Sequence, residues 1–211
     1  MDTIVLTCMD PRLNEYLDKT YLSEDGKKKY GKVEIWRNAS GRLPPVEAIT
    51  GSGTKRVVLA PHTDCAAKKH MYEVLKQDAA RSAGDKIVDQ AAELIEGHAF
   101  ATREEFDVLV NTEEEMFLKK KLAKTGINVE LNTIDLSKLN VSHSAGERML
   151  VISNETNEKS AKIAIEAGIS LLSCYIIQGP YLKDLNPDIN LALGLGIKRV
   201  NILTEDGTTF K

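Results

Sequence analysis

Short runs of apolar and β-branched residues recur along the chain and predict the strands of a sheet. Most of these runs are continuously apolar and do not alternate with polar residues, as expected for strands that are covered on both faces. The predicted strands are 3–7, 32–36, 56–60, 127–134, 149–153, 173–178 and 199–203. The pattern therefore favours a sheet that lies between layers of helices.

Helical patterns occupy the intervals between these strands. Residues 82–96 place their apolar side chains on one face, and Gly97 follows as a stop signal. Thr112 and Glu115 form a capping-box pattern, which predicts that a helix begins there and ends at Gly126. The other predicted helices are 65–77, 156–167 and 187–195, whereas the charged stretch 23–32 is predicted to be a solvated loop and 102–111 stays ambiguous. Together these patterns predict an α/β fold with a mainly parallel sheet flanked by helices.

The composition limits the classes of function that the chain can have. Its 211 residues are 42% hydrophobic and 28% charged, with a formal net charge of −3, so it can form one sizeable core. Because no basic stretch is interleaved with aromatic residues, we expect no nucleic acid partner. No apolar run approaches the roughly 20 residues that span a bilayer, and the N-terminus has no signal-peptide pattern. We therefore expect a cytoplasmic protein with no membrane partner.

The chain has three cysteines, Cys8, Cys65 and Cys174. An odd, small number in a chain expected to be cytosolic argues against a disulfide framework. Cys174 lies inside an apolar run, so it is expected to fill the core. The other two cysteines occur where strands end.

Cys8, His62 and Cys65 are predicted to converge at one edge of the sheet. Cys8 directly follows the strand at 3–7, and the strand at 56–60 runs into His62 and Cys65. The carboxyl ends of neighbouring parallel strands meet at the same edge, where sites form in open α/β sheets. Two thiolates and one imidazole are a zinc ligand set, and three protein ligands leave the fourth position open, as in catalytic zinc sites. The alternative is that His62 caps a helix and both cysteines are buried filler.

Asp10 and Arg12 add a carboxylate and a guanidinium to the same loop. An isolated pair of this kind would be a surface salt bridge that contributes little. Beside a metal, a carboxylate can accept a proton from bound water or displace that water. A guanidinium can hold the carboxylate through two hydrogen bonds and fix its direction.

Three linked motifs resemble the β-class carbonic anhydrase family over residues 1–140. "CMDPRL" (8–13) is similar to the family's C-x-D-x-R motif, and "RNASG" (37–41) is similar to its R-N-A-G segment. "HTDCAAKK" (62–69) is similar to its H-x-x-C segment. The order and spacing of strands and motifs also match, and three motifs in order are far more specific than any one alone.

The resemblance implies a reaction and a set of residues that perform it. The cofactor would be Zn²⁺ and the enzyme a carbonate dehydratase, a zinc lyase that reversibly hydrates CO2 to bicarbonate with a zinc-bound hydroxide as nucleophile. Asp10 and Arg12 would be the catalytic dyad that assists this hydroxide. The zinc ligands would be Cys8, His62 and Cys65, and the pocket wall that binds substrate would include Asn38 and Ala39, with Arg37 beside them.

Two positions depart from the family pattern, because Ser40 and Ala66 stand where the family usually has glycine. Both add atoms near the expected site and would narrow a substrate pocket. One alternative function is the hydrolysis of carbonyl sulfide or carbon disulfide on the same zinc site, since both molecules are linear and isoelectronic with CO2. Another is a non-catalytic zinc-binding relative, although a structural zinc has no need of the Asp10–Arg12 pair.

Residues 147–211 lie beyond the family resemblance and form a predicted C-terminal extension to the 1–140 domain, with a boundary near 137–147. "GLGIKRVNILTED" (194–206) matches "GSGTKRVVLAPHT" (51–63), with two glycines and Lys-Arg-Val in register. We interpret the extension as a degenerate second copy of the β-α-β core. The alternative is that any strand–helix–strand unit shows this much similarity.

In this alignment no thiol or imidazole ligand survives in the second copy. The residues that replace the ligands Cys8, His62 and Cys65 are Asn154, Glu205 and Thr208. The predicted assembly is either a homo-oligomer or an intrachain pseudo-dimer, in which the second copy covers the sheet edge of the first.

Overall fold

The computed structural model describes residues 1–76, 85–139, 149–180, 186–204 and 207–210. Within these ranges eight strands form one sheet in the order β4-β3-β1-β2-β6-β5-β7-β8. The strands are β1 (Thr3–Cys8), β2 (Val33–Asn38), β3 (Arg56–Ala60), β4 (Asn128–Leu131), β5 (Met149–Ser153), β6 (Tyr175–Gln178), β7 (Arg199–Thr204) and β8 (Gly207–Phe210). The pairs β2–β6 and β7–β8 are antiparallel and the others are parallel, which confirms the predicted mainly parallel α/β fold.

Eight helices of the described chain lie between or beside these strands. They are α1 (Asn14–Leu17), α2 (Glu24–Tyr30), α3 (Val46–Gly51), α4 (Ala66–Lys76), α5 (Lys86–Leu94), α6 (Arg103–Leu122), α7 (Asn157–Glu166) and α8 (Asn186–Gly194). A π-helical segment, Asp18–Leu22, continues α1. Single 3₁₀ turns occur at Pro11–Leu13, Ala39–Gly41, Leu136–Lys138 and Leu171–Ser173.

Two local predictions were wrong. The charged stretch 23–32 contains α2, because Ser23 accepts a hydrogen bond from the Gly26 N–H and so caps a helix with three lysines in its last turn. The helix expected to begin at Thr112 begins at Arg103, since the capping box is formed by Thr102 and Glu105. The Thr-x-x-Glu pattern occurs twice in this region, and the first copy caps the helix. Thr112, in the second copy, lies in the interior of α6.

The burial of β1 on both faces explains why its apolar residues do not alternate with polar ones. All six residues of β1 are buried. Val5 packs into one apolar cluster, whereas Ile4 and Leu6 pack into a second cluster on the other face of the sheet. No helix in the described ranges is long and apolar enough to cross a bilayer.

The strands of the second half repeat the order of the first. The first half has β1 between β3 and β2, and the second has β5 between β7 and β6. The two halves meet at the antiparallel pair β2–β6, where Arg37 lies opposite Gln178. When β1 and β5 are aligned through their partners, Arg37 and Gln178 occupy the same position in each half. Pairing of equivalent positions is what an approximate two-fold axis at this contact produces.

The halves nevertheless share one core, because the largest apolar cluster contains Val5 from the first and Leu150 and Ile177 from the second. The predicted boundary near 137–147 falls mostly outside the described residues, as does Glu205. The division into a 1–140 domain and a 147–211 copy stays a prediction.

Candidate metal centre

The structure brings Cys8, His62 and Cys65 together at the carboxyl ends of two neighbouring strands. Cys8 is the last residue of β1, and β3, which ends at Ala60, pairs with β1 in parallel. The three possible ligand atoms lie within 4.8 Å of one another, and all three residues are buried. Hydrogen bonds from the Ile134 N–H to the Pro61 carbonyl and from the Thr63 N–H to the Ile134 carbonyl fix the segment that carries His62.

The imidazole of His62 has one nitrogen occupied and one free. Its Nδ1 lies 2.7 Å from the Thr63 carbonyl oxygen, which assigns the proton to Nδ1. Its Nε2 is buried and has no hydrogen-bond partner among the described residues. A buried nitrogen without a partner costs free energy, and a backbone hydrogen bond on the other nitrogen is the usual arrangement of a metal-ligating histidine.

The two cysteine sulfurs have the spacing of a shared metal. Their Sγ atoms lie 3.9 Å apart. Two sulfurs bound to zinc at about 2.3 Å with tetrahedral geometry would be about 3.8 Å apart. The two thiols are close enough to share a hydrogen bond, and this interaction raises the pKa of Cys8 and lowers the pKa of Cys65. Cys65 is thus prepared as a thiolate, and the donor set fits a soft metal such as zinc.

Asp10 and Arg12 form a close pair on the loop after β1. The Arg12 Nε lies 3.0 Å from each Asp10 carboxylate oxygen, and its Nη2 lies 2.6 Å from Oδ2. Arg12 also donates from Nη1 to the Asp64 carboxylate and from Nη2 to the Asp64 carbonyl oxygen. The guanidinium therefore links the loop after β1 to the loop that carries His62 and Cys65.

The environment keeps Asp10 ionised although the residue is only 8% exposed. Burial alone would raise the pKa of Asp10. The hydrogen bonds from Arg12, together with the electrostatic effect of the nearby His62, outweigh this effect of burial. The pKa of Asp10 therefore lies below its ordinary value. The result is a buried carboxylate that can accept a hydrogen bond beside the cysteine–histidine group.

Arg37 supports the loop that carries Cys8 and Asp10. It is 5% exposed, and it donates to the carbonyl oxygens of Cys8 at 3.0 Å and Asp10 at 2.9 Å and to the Asn14 side chain at 2.5 Å. Burial lowers its pKa to about 10. The sequence placed Arg37 at the pocket wall, but all three of its nitrogens are used to hold the loop.

The turn at 39–42, which carries the predicted wall residue Ala39, lies against the end of β1. A Cβ on Gly41 would come within 3.0 Å of the Thr7 carbonyl carbon, so the backbones are in close contact there. Ser40 has a φ of 67°, which is unfavourable for a residue other than glycine. The Ser40 hydroxyl and the Asn38 side-chain oxygen are buried without partners among the described residues.

A buried polar group lies on the helix that follows Cys65, and the sequence did not predict it. Lys68 of α4 is 1% exposed and donates to the Asn111 side chain on α6. Glu114, one turn further along α6, is buried, and burial raises its pKa to about 7. No signal in the sequence indicated this burial, because a charged residue is rarely fully buried.

Cys174 is buried in an apolar cluster of the second half, as predicted. Its thiol donates to the Ser170 carbonyl oxygen at 3.2 Å. Among the described residues, Cys8, His62 and Cys65 are the group of histidine, cysteine and acidic side chains close enough to hold a metal.

Fold and site together define a class of protein. It is an α/β protein with a buried cysteine–histidine–cysteine group at the carboxyl edge of parallel strands and an Asp–Arg pair beside it.

Comparison with solved structures finds similar folds among β-carbonic anhydrases. A chain from the crystal structures of two tetrameric β-carbonic anhydrases of the filamentous ascomycete Sordaria macrospora is 15% identical, with a TM-score of 0.45. The similarity covers 67% of this chain and 79% of that chain. The β-carbonic anhydrase CafA of the fungal pathogen Aspergillus fumigatus is 18% identical over 65% of this chain and 72% of that chain, with a TM-score of 0.43. At these identities the similarity extends to the fold alone. No protein-family model and no curated protein matches the chain.

Proposed function

We propose that this chain is a zinc-dependent enzyme that reversibly hydrates CO2 to bicarbonate. The observation that supports it most is the buried Cys8–His62–Cys65 group, in which His62 Nε2 has no partner among the described residues. Two thiolates and an imidazole match the ligands that zinc prefers, and a three-residue set leaves one position open, as catalytic zinc sites do. Zinc bound there would supply an activated water near neutral pH.

Asp10 would act as the hydrogen-bond acceptor and proton acceptor of the reaction. Its carboxylate is ionised and close to His62, and Arg12 holds both of its oxygens. Because Arg12 is fixed in turn by Asp64, the carboxylate has little freedom to rotate. A structural metal site would need no such carboxylate, so the pair favours a catalytic role.

The burial of the centre favours a small, uncharged substrate. The three proposed ligand residues are at most 5% exposed, which fits a substrate as small as CO2. Asn38 and Ala39 would line the wall on which CO2 rests. The Asn38 amide nitrogen donates to the Arg42 carbonyl oxygen, and its side-chain oxygen has no described partner.

The direct test is stopped-flow CO2 hydration by protein whose zinc content has been measured. We expect hydration well above the buffer rate, loss of that rate on chelation, and its recovery when zinc is restored. Carbonyl sulfide offered to the same preparation distinguishes the alternative substrate. Fully zinc-loaded protein that leaves CO2 at the buffer rate would overturn the proposal.

A further inference from the structure

A buried carboxylate of the second half contacts the turn beside the candidate centre. Asp188 lies in the first turn of α8 and is 1% exposed. Its Oδ1 accepts a hydrogen bond from the Ala39 N–H at 2.7 Å, and its Oδ2 pairs with the Arg42 guanidinium. Both partners belong to the 39–42 turn, so Asp188 holds this turn at its two ends.

The turn that Asp188 holds is strained, so contacts from outside the turn are needed to maintain its conformation. Ser40, in its middle, has a positive φ, which is energetically unfavourable for a non-glycine residue. Such a conformation persists only where the surroundings fix it. The Asp188 side chain in the ion pair with Arg42 is fully buried, and the cost of removing its charge from water offsets much of the attraction, so the pair is a poor means of stabilising the fold alone.

The position of the turn is transmitted directly to a proposed metal ligand. Cys8 lies opposite Asn38 in the β1–β2 register, and the Met9 N–H donates to the Asn38 carbonyl oxygen at 2.8 Å. Gly41 packs against the backbone of Thr7, with room for no side chain. A shift of the turn would therefore move Cys8 and the wall at Asn38 together.

We propose that Asp188 is a positioning residue of the metal centre, through which the second half fixes the 39–42 turn and with it Cys8 and the substrate wall. The inference rests on the proposed function, because it requires that the centre hold a metal. It gives the second half a role at the centre although the aligned positions in its sequence, Asn154, Glu205 and Thr208, offer no thiol or imidazole. The bond to Ala39 sets the start of the turn, and the ion pair to Arg42 sets its end.

Two substitutions separate the two contacts of Asp188. Asp188→Asn keeps an oxygen for the Ala39 N–H but removes the charge that pairs with Arg42, whereas Asp188→Ala removes both contacts. We expect Asp188→Ala to lower kcat/KM for CO2 hydration by about 10²-fold, the size of effect that a displacement of about 1 Å can have. Asp188→Asn should lie between this variant and the unsubstituted chain.

The same variants should change the absorption spectrum of the Co²⁺-substituted protein. The sulfur-to-cobalt and ligand-field bands report the geometry around Cys8, and a merely structural ion pair would leave them unchanged in folded protein. Glu166→Gln, on the exposed end of α7, is the charge-matched control. Leu203→Ala is the stability control, because it leaves a cavity in the apolar cluster of the second half.

The outcomes separate this inference from the proposed function. The inference is supported if folded Asp188→Asn shows both a shift of the Co²⁺ spectrum and a loss of activity. Folded Leu203→Ala and Glu166→Gln should show neither change. An unsubstituted chain that hydrates CO2 and an Asp188→Asn variant with the same kcat/KM and Co²⁺ spectrum overturn this inference alone. An unsubstituted chain that binds neither Zn²⁺ nor Co²⁺ overturns both. If Asp188→Ala does not fold, Asp188→Asn carries the test.

Discussion

The two halves of the sheet share a strand order, yet the group that could hold a metal among the described residues lies in the first half. β1 ends at Cys8, and the corresponding position after β5 is Asn154. In both halves the following residues cap a helical turn, with Asp10 in the first and Thr156 in the second. The comparison shows that the fold supplies the meeting point, whereas the residues at the strand ends decide whether chemistry occurs there.

The second half supports the first at its sheet edge and around its loops. β6 pairs with β2, which would otherwise be an exposed edge strand. The Asn14 side chain, which also accepts from Arg37, donates to the carbonyl oxygens of Leu171 and Cys174. We interpret the second half as a pseudo-subunit within the chain.

Removal of the second half should have the largest effect. A chain that ends at residue 142 would expose β2 and remove the part of the shared core contributed by Leu150 and Ile177. We expect it to aggregate or to be inactive, as measured by sedimentation and CO2 hydration beside the full chain. A soluble, folded and fully active fragment would show that the first half needs no such cover.

The cysteines of the two halves should differ in their effect on metal content. Cys65→Ser should lose most of the zinc, because Cys65 is the residue prepared as a thiolate. Cys174→Ser is the matched control, since its thiol donates to the Ser170 carbonyl oxygen within the second half. Elemental analysis measures the zinc content of both variants. Full zinc retention by Cys65→Ser would show that Cys65 is not a zinc ligand.

The capping residues of the two halves should separate chemistry from stability. Asp10→Asn should keep zinc but lower hydration by about 10²–10⁴-fold, as loss of general-base assistance does. Thr156→Ala, at the corresponding position, should leave kcat unchanged and destabilise α7 by about 1 kcal/mol. Stopped-flow kinetics on zinc-quantified protein measure the first effect, and urea unfolding measures the second. Equal kcat values in the two variants would contradict a catalytic Asp10.

A separate prediction, which concerns stability alone, is a pH dependence of the unfolding free energy that originates in the first half. Burial raises the pKa of Glu114 from 4.5 to about 7. A carboxyl with a raised folded-state pKa stabilises the fold at low pH, and this contribution is lost as the pH rises through about 7. Between about pH 5 and 7, the unfolding free energy of the unsubstituted chain should therefore fall relative to that of Glu114→Gln.

Urea unfolding at several pH values tests this prediction, with the exposed Glu166→Gln as the control. The difference in unfolding free energy between the control and the unsubstituted chain should stay the same at every pH. Parallel curves for Glu114→Gln as well would mean that Glu114 does not titrate in this range.

The fold and the ligand group could be predicted because they follow from local patterns. Continuous apolar runs indicated strands that are covered on both faces. Because neighbouring parallel strands bring their carboxyl ends together, Cys8 and His62 were expected to lie close to each other. The roles of Lys68 and Asp188 could not be predicted in this way. Each is a charged residue buried by contacts with residues distant in sequence, and no local pattern encodes those contacts.

The most direct test of the account is the relation between zinc content and hydration rate in the full chain. Zinc would be removed by a chelator and restored in steps, with metal and rate measured at each step. The account predicts a straight line through the origin that reaches its maximum at one zinc per chain, because the described residues hold one such ligand group, in the first half. A rate that does not depend on zinc, or a maximum reached only at two zinc ions per chain, would contradict it.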